Sequence, residues 1–132
     1  AYPCGNTFLG RDKKIKSYAP VVRKLFSSGR TYADISSNDI DLDLAKLSCV
    51  IMDDKDFKSI KIQIEESRKQ GKWLILGGHE IGNKEIKIDY LTNTEMLEEL
   101  LDYIKNPANK IWAAPVGEIT SYIRANKKTL VR

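Results

Sequence analysis

Two kinds of hydrophobic pattern alternate along this chain. Short, dense runs of β-branched and large apolar residues, bounded by glycine or charged residues, are typical of buried strands in a parallel sheet. Such runs occur at residues 46–53 (KLSCVIMD), 72–78 (KWLILGG) and 110–116 (KIWAAPV), with a weaker run at 30–36 (RTYADIS). The first five residues, AYPCG, are expected to be the end of a strand that breaks into a turn at Pro3 and Gly5.

Apolar residues spaced three and four apart lie between these runs and predict four helices. They cover residues 17–29 (SYAPVVRKLFSSG), 55–70 (KDFKSIKIQIEESRKQ), 92–106 (TNTEMLEELLDYIKN) and 116–128 (VGEITSYIRANKK). Ser17 is a predicted N-cap of the first helix, and Asp53 or Asp54 of the second. Thr92 and Glu95 have the spacing of a capping box at the start of the third. The first helix is expected to bury an apolar face made of Val21, Val22, Leu25 and Phe26.

The alternation of strands and helices predicts an α/β fold, with parallel strands and crossover helices in a single domain over residues 1–132. A closed (β/α) barrel typically takes ~250 residues. The 132 residues of this chain therefore suit about half of a barrel. Because a half-barrel exposes open sheet edges, which proteins usually cover, we expect a missing N-terminal half, a dimer partner or a rearranged open sheet. The start at Ala1, without Met or a signal-like segment, is expected of a processed chain or a piece of a longer one.

Composition narrows the classes of function. The chain is 42% hydrophobic and 30% charged, which is ordinary for a globular protein. Its net charge of +4 comes from interleaved basic and acidic residues, which favours a solvated surface over a nucleic-acid interface. No run approaches the ~20 apolar residues that span a bilayer. Cys4 and Cys49 could be a disulfide or two buried thiols, and with one histidine they are too few for a structural zinc site.

The single histidine, His79, follows the apolar run WLIL and two glycines. In parallel α/β folds, catalytic groups lie at the carboxyl ends of strands, and an imidazole is suited to proton transfer near neutral pH. The alternative is a structural histidine whose ring is satisfied by a nearby carbonyl or carboxylate. Position alone leaves both interpretations open.

Other chemically interesting residues have plainer explanations. Cys4 also lies at an expected strand end, but a nucleophilic cysteine needs a base that only His79 could provide, so a small buried thiol is favoured. The alternating carboxylates of Asp39, Asp41 and Asp43 lack the glycine and glutamate of a calcium loop. Trp73 and Trp112 fall in or beside predicted strands, where tryptophan is more often a core residue than a ligand platform.

Three stretches together resemble the C-terminal half of the polysaccharide deacetylases, metal-dependent enzymes that remove N-acetyl groups from glycans. AYPCG resembles the third motif of that family, aromatic-Ala-Tyr-Pro-x-Gly, and LILGGHEIG resembles its last motif, a hydrophobic strand ending in Leu-x-x-His or Leu-x-His. The succession TNTEMLEELLDYI and KIWAAPVGEITSYI is similar to the close of the domain. The resemblance implies a distorted (β/α) barrel and an N-acetylated glycan as substrate. It also implies an extracytoplasmic or secreted location.

The family's roles carry over to a few residues of this chain. His79 would be the general acid that protonates the leaving amine of the sugar. Cys4 would lend its backbone N–H to the oxyanion hole, which tolerates Cys in place of the usual Tyr because the side chain is not the donor. Tyr2 and Pro3 would shape the substrate pocket.

The family's metal-binding motifs, Thr-Phe-Asp-Asp and His-x-x-x-His, are absent from this chain. The resemblance implies a divalent, zinc-like metal whose ligands lie elsewhere, so the chain alone is expected to be inactive. The family's fourth motif, Asp-x-x-Asp-Trp, is not evident, although Asp34 or Asp39 could stand near its position. The leading interpretation is the oxyanion-hole and general-acid half of a deacetylase. The alternatives are a noncatalytic carbohydrate-binding or scaffolding α/β module and an unrelated open-sheet domain.

Overall fold

A computed structural model describes residues 1–31, 37–39, 41–85 and 87–130 of the chain. The helices are α1 (Ala19–Leu25), α2 (Phe57–Lys69), α3 (Thr94–Lys105) and α4 (Val116–Leu130). The strands are β1 (Phe8–Leu9), β2 (Lys16–Ser17), β3 (Val50–Ile51), β4 (Leu76–Gly77), β5 (Glu80–Gly82) and β6 (Leu91–Asn93). Within these described ranges, none of the helices has the length and apolar character needed to cross a bilayer.

Parallel pairing dominates the centre of the molecule. β3 pairs in parallel with β4, with Val50 opposite Leu76, and β5 pairs in parallel with β6. A parallel bridge between Arg30 and Leu47 adds a further segment beside β3. The hairpin of β1 and β2 is antiparallel. The chain is therefore an α/β protein with short parallel strand pairs, as the alternating pattern predicted.

Alternate residues of β3 face two different hydrophobic clusters. Val50 points into a cluster between β3, α2 and α3, and Cys49 and Ile51 point into a cluster on the other face. The buried members of the first cluster are Val50, Ile60, Ile64, Met96 and Leu100. Those of the second are Leu47, Cys49, Ile51 and Ile75. Because successive side chains of a strand point to opposite faces, a strand buried on both sides needs the unbroken apolar run seen in the sequence.

Two helix caps differ from those the sequence predicted. The N-cap of α2 is Asp56, whose side chain accepts a hydrogen bond from the Ser59 N–H, and not Asp53 or Asp54. The N-cap of α3 is Asn93, whose side chain accepts from the Met96 N–H. In each helix another residue with a side chain that can cap lies one to three positions later, directly before the first helical residue, and that residue is the N-cap. Asp53 and Thr92 are left for another role.

The amino-terminal third also differs in detail. AYPCG forms a turn of 3-10 helix at Pro3–Gly5. The β1–β2 hairpin lies between residues 8 and 17, where no strand was predicted. The predicted N-cap Ser17 belongs to β2, and α1 begins at Ala19 with no side-chain cap from its flanking Tyr18. The apolar face expected of α1 is wrong for Val21, Leu25 and Phe26, which are all exposed, while Ala19 is buried. A helix of seven residues is too short to bury a long stripe, and here it packs mainly through its start.

The strand expected at residues 110–116 is not formed, and residues 110–115 run as irregular chain. Lys110 adopts a left-handed conformation, and Pro115 offers no N–H for a ladder. Trp112 is half-exposed, with its ring edge-on to Tyr122, so its expected place in the core is also wrong. A pocket of about 500 Å³ is lined in part by this segment and by residues 73–76. The predicted strand at 30–36 lies largely outside the described residues, as does Asp34.

A small polar and aromatic network joins α2 to α3 on the surface. The Glu65 carboxylate accepts hydrogen bonds from the Tyr103 hydroxyl and the Arg68 guanidinium, both at 2.6 Å. Hydrogen bonds from Arg68 and from Tyr103 lower the pKa of Glu65 to about 2. Lys61 lies over the Tyr103 ring at 4.6 Å, and Phe57 meets the same ring edge-on. This network links α2 and α3, the two helices that cover β3, through polar side chains.

The lowered pKa of Glu65 makes part of the stability dependent on acid. The unfolded state protonates this carboxyl at a higher pH than the folded state does, so its contribution is present above about pH 4.5 and is lost as the pH falls toward 2. We expect Glu65→Gln to be less stable than the wild type at pH 7 and to lose less stability between pH 4.5 and 2.5. Urea denaturation at the two pH values measures this difference.

Glu66→Gln is the matched control, because Glu66 is the exposed neighbour on the same helix. It should follow the wild-type pH dependence. A Glu65→Gln curve that runs parallel to both would show that the carboxylate contributes nothing to the link between α2 and α3.

Candidate active site

The centre of the candidate site is a carboxylate paired with the single histidine. Asp53 lies two residues beyond β3 and His79 two residues beyond β4, so the carboxyl ends of two paired parallel strands bring them together. Asp53 Oδ2 lies 2.6 Å from His79 Nδ1. Its other oxygen, Oδ1, accepts the backbone N–H of His79 at 3.1 Å. The two contacts fix both the position and the orientation of the imidazole.

A third donor completes the environment of this carboxylate. The Thr92 hydroxyl, from β6, donates to Asp53 Oδ1 at 2.7 Å. The Asp53 side chain is 2% exposed, and Thr92 is fully buried. Burial opposes ionisation of Asp53, but hydrogen bonds from His79 and Thr92 outweigh it and lower the pKa of the carboxyl below its ordinary value. Asp53 is therefore an ionised group inside the protein, held by three hydrogen bonds from two residues.

His79 is not a core residue. Half of its side chain (51%) is exposed, although its partner Asp53 is buried. With Nδ1 turned to Asp53, the other ring nitrogen, Nε2, has no hydrogen-bond partner among the described residues. An imidazole held at Nδ1 by a carboxylate and open at Nε2 is the arrangement of an oriented proton donor or acceptor.

The two glycines before His79 are required by close contacts. A Cβ on Gly78 would lie 2.4 Å from Thr92 Oγ1 and 3.1 Å from Asp53 Oδ1. A Cβ on Gly77 would lie 2.7 Å from the sulfur of Cys49. The two glycines thus let this stretch approach Cys49 and the hydrogen-bonded side chains of Asp53 and Thr92.

Tyr90 forms one wall of the site. Its ring centroid lies 5.3 Å from that of His79, at an interplanar angle of 48°. Its backbone is left-handed, with φ +63°, and its side chain is mostly exposed. The carbonyl of Tyr90 accepts the Glu80 N–H at 3.3 Å, which ties the turn before β6 to β5.

The amino-terminal candidates, Tyr2, Pro3 and Cys4, make contacts of their own. Tyr2 is buried, its hydroxyl donates to the Ala45 carbonyl at 2.7 Å, and its ring meets that of Tyr18 edge-on. Pro3 and Cys4 are exposed, and within the described structure no hydrogen bond or ring contact joins Tyr2, Pro3 or Cys4 to His79. Cys4 and Cys49 do not form a disulfide; the first thiol is exposed and the second is buried.

Sequence reasoning missed the partners of His79. Asp53 was interpreted as a helix cap, Thr92 as part of a capping box, and Tyr90 was not considered. One signal was available: Asp53 and Asp56 have the Asp-x-x-Asp spacing sought for the fourth motif, followed by Phe57 in place of Trp. Asp39, the described alternative, instead pairs with Lys72 at the other end of β4.

No group of three or more His, Cys, Asp or Glu side chains that could hold a metal occurs in the described part of the chain. Asp53 and His79 are turned toward each other, so these two side chains do not fit a metal centre by themselves. Comparisons of this chain with known protein families, with curated proteins and with solved structures found no match.

Removing the Thr92 hydroxyl tests the buried group. Thr92→Val keeps the shape of the side chain but takes one donor from an ionised, buried carboxylate, and we expect it to cost about 1–3 kcal/mol of unfolding free energy. Thr120→Val is the matched control, because Thr120 is equally buried and its hydroxyl has no described partner. The control should be neutral or stabilising by urea denaturation. Equal losses in both variants would contradict the assigned role of Thr92.

Adding a methyl group at Gly78 tests the close approach. Gly78→Ala must displace Thr92 or Asp53, and we expect a cost of about 1–3 kcal/mol, the usual range for an overpacked site. Because the chain has one histidine, its imidazole NMR signals report the same displacement directly. Gly117→Ala, where a Cβ meets nothing within 4 Å, should instead stabilise α4 by up to about 1 kcal/mol. Unchanged imidazole signals in Gly78→Ala would be evidence against the described packing.

Proposed function

We propose that this chain is the general-acid and oxyanion-hole half of a polysaccharide deacetylase, a metal-dependent hydrolase that removes N-acetyl groups from a glycan. The observation that carries the proposal is the contact between buried Asp53 and half-exposed His79 at the carboxyl ends of two parallel strands. A structural histidine has no need of an open ring nitrogen, whereas a general acid does. The fold this proposal implies is half of a distorted (β/α) barrel.

The two ring nitrogens of His79 have different roles in the proposed reaction. Asp53 accepts the Nδ1 proton at 2.6 Å and balances the charge of the ring when both nitrogens carry protons. Nε2 then donates its proton to the sugar nitrogen as the C–N bond of the amide breaks. Asp53 is a positioning residue in this step, because it acts through the imidazole. Thr92 acts one contact further away by holding Asp53.

The local sequence supports the same proposal. Asp53, Asp56 and Phe57 follow the order of the Asp-x-x-Asp-Trp motif, with one aromatic residue replacing another. Asp53 is the member that reaches His79, and Asp56 caps α2. This division gives the two carboxylates separate roles, one at the site and one in the helix that supports it.

Cys4 supports an oxyanion hole through its backbone. Cys4 and Gly5, in the turn after Pro3, both have positive φ, of 47° and 66°. The N–H groups of Gly5 and Asn6 are used by the carbonyls of Tyr2 and Pro3, whereas the Cys4 N–H has no acceptor among the described residues. It is available to stabilise the negative oxygen of an acetamide under attack. The pocket role of Tyr2 is then indirect, since its buried ring supports this turn.

A divalent metal would polarise the acetamide and activate the attacking water. The residues of this chain do not supply its ligands. The proposal therefore assigns the metal-binding Asp and the two metal-binding His residues to a polypeptide segment other than these 132 residues, either an N-terminal half or a partner chain. The chain alone is then inactive. Because the substrates of such an enzyme are envelope or extracellular glycans, the proposal places it outside the cytoplasm.

The first test joins sequence to activity. The coding region before Ala1 is read for Thr-Phe-Asp-Asp and His-x-x-x-His, and the polypeptide that contains them is assayed for acetate release from chitin oligomers and peptidoglycan glycans. We expect release that is abolished by a chelator and restored by a divalent metal. His79→Ala should lower kcat by roughly 10²–10⁴-fold, the usual contribution of a general acid. Asp53→Asn should also lower kcat, because the imidazole loses its oriented partner.

Cys4→Ala is the matched control, because it keeps the backbone N–H and should retain activity. A loss of activity equal to that of His79→Ala would instead indicate a nucleophilic thiol. Bound glycan without acetate release would favour the noncatalytic carbohydrate-binding module. A polypeptide that does not bind glycan and does not release acetate would overturn both proposals.

A further inference from the structure

The backbone of Tyr90 is strained, and burial of its side chain does not explain the strain. Its φ of +63° lies in the left-handed region, which a residue with a bulky side chain rarely adopts. Such strain usually persists where the surroundings hold the residue for a purpose. The usual purpose, burial of the ring, does not apply, because 57% of Tyr90 is exposed.

The surrounding backbone fixes Tyr90 relative to the candidate acid. The Tyr90 carbonyl accepts the Glu80 N–H, one residue after His79, and the Leu91 carbonyl accepts the Asp54 N–H at 2.9 Å. The next residue, Thr92, holds Asp53. Three consecutive residues thus tie one short segment to both ends of the Asp53–His79 pair, and the first presents an exposed aromatic ring 5.3 Å from the imidazole.

We propose that Tyr90 is a specificity-determining residue whose exposed ring packs against the C–H face of the pyranose that receives the proton from His79. This inference rests on the proposed function and adds a subsite to it. A pyranose has an apolar face of C–H groups, and an exposed aromatic ring is the side chain that gains most by covering such a face. Contact with Tyr90 would place the sugar nitrogen beside the open Nε2 of His79.

Two substitutions separate the ring from the backbone that carries it. Tyr90→Asn removes the ring and supplies a residue that tolerates the left-handed conformation, so the melting temperature should stay within about 3 °C of the wild type. Tyr90→Phe keeps the ring. Tyr122→Leu, at a half-exposed tyrosine on α4 that pairs with Trp112, is the control for loss of an aromatic ring elsewhere.

The probe is tetra-N-acetylchitotetraose, and the readout is the imidazole NMR signals of the single histidine of this chain. We expect saturable shifts with the same Kd for the wild type, Tyr90→Phe and Tyr122→Leu, and about tenfold weaker binding for Tyr90→Asn. Tyr90→Asn binding as tightly as the wild type while remaining folded would overturn the inference. Absence of any shift in the wild type would overturn it as well.

Kinetics distinguish a failure of this inference from a failure of the proposed function. In the polypeptide that releases acetate, Tyr90→Asn should raise KM about tenfold with little change in kcat, whereas Asp53→Asn should lower kcat. Acetate release with an unchanged KM for Tyr90→Asn would refute the sugar subsite and still support the proposed deacetylase function. Ring-dependent sugar binding without acetate release would keep the subsite and refute the hydrolase.

Discussion

The burial of one ionised carboxylate constrains much of the described structure. Removing a carboxylate from water costs several kcal/mol unless hydrogen bonds replace its hydration. Asp53 receives those bonds from two points of His79 and from Thr92. His79 follows β4 and Thr92 lies in β6, so these strands must be correctly placed before the hydrogen bonds to Asp53 can form. The same contacts that make the carboxylate tolerable inside the protein also orient the imidazole.

Other unusual features follow from this constraint. Gly78 is needed because a side chain there would occupy the space between Thr92 and Asp53. The caps of α2 and α3 are Asp56 and Asn93, which leaves the side chains of Asp53 and Thr92, three and one positions earlier, free to turn inward. Helix starts and site residues are therefore separated by one to three positions. In each case the site residue and the cap are both polar residues able to cap a helix, and the later one is the cap.

That adjacency explains how much of the site the sequence could predict. The apolar run before two glycines placed His79 correctly at the end of a parallel strand, because strand period and chain punctuation are local signals. Asp53 lies 26 residues away, among several acidic residues that local rules treat alike. Its pairing depends on the register of β3 and β4, which periodicity does not specify. The strand expected at Trp112 failed for a related reason, since ladder pairing is decided by neighbours far along the chain.

The location of the hydrogen-bond donors has a consequence for the proposed division of the enzyme. Asp53 is satisfied entirely by donors of this chain, so the orientation of His79 does not depend on a metal or on another polypeptide segment. A metal site usually needs ligands to be gathered before its charge is balanced, whereas this carboxylate is balanced as soon as β3, β4 and β6 meet. In the proposed deacetylase, the geometry of the proton donor is thus organised by folding of these strands. The proposed metal-binding half would supply the activated water and its base, and would not be needed for the geometry of the proton donor.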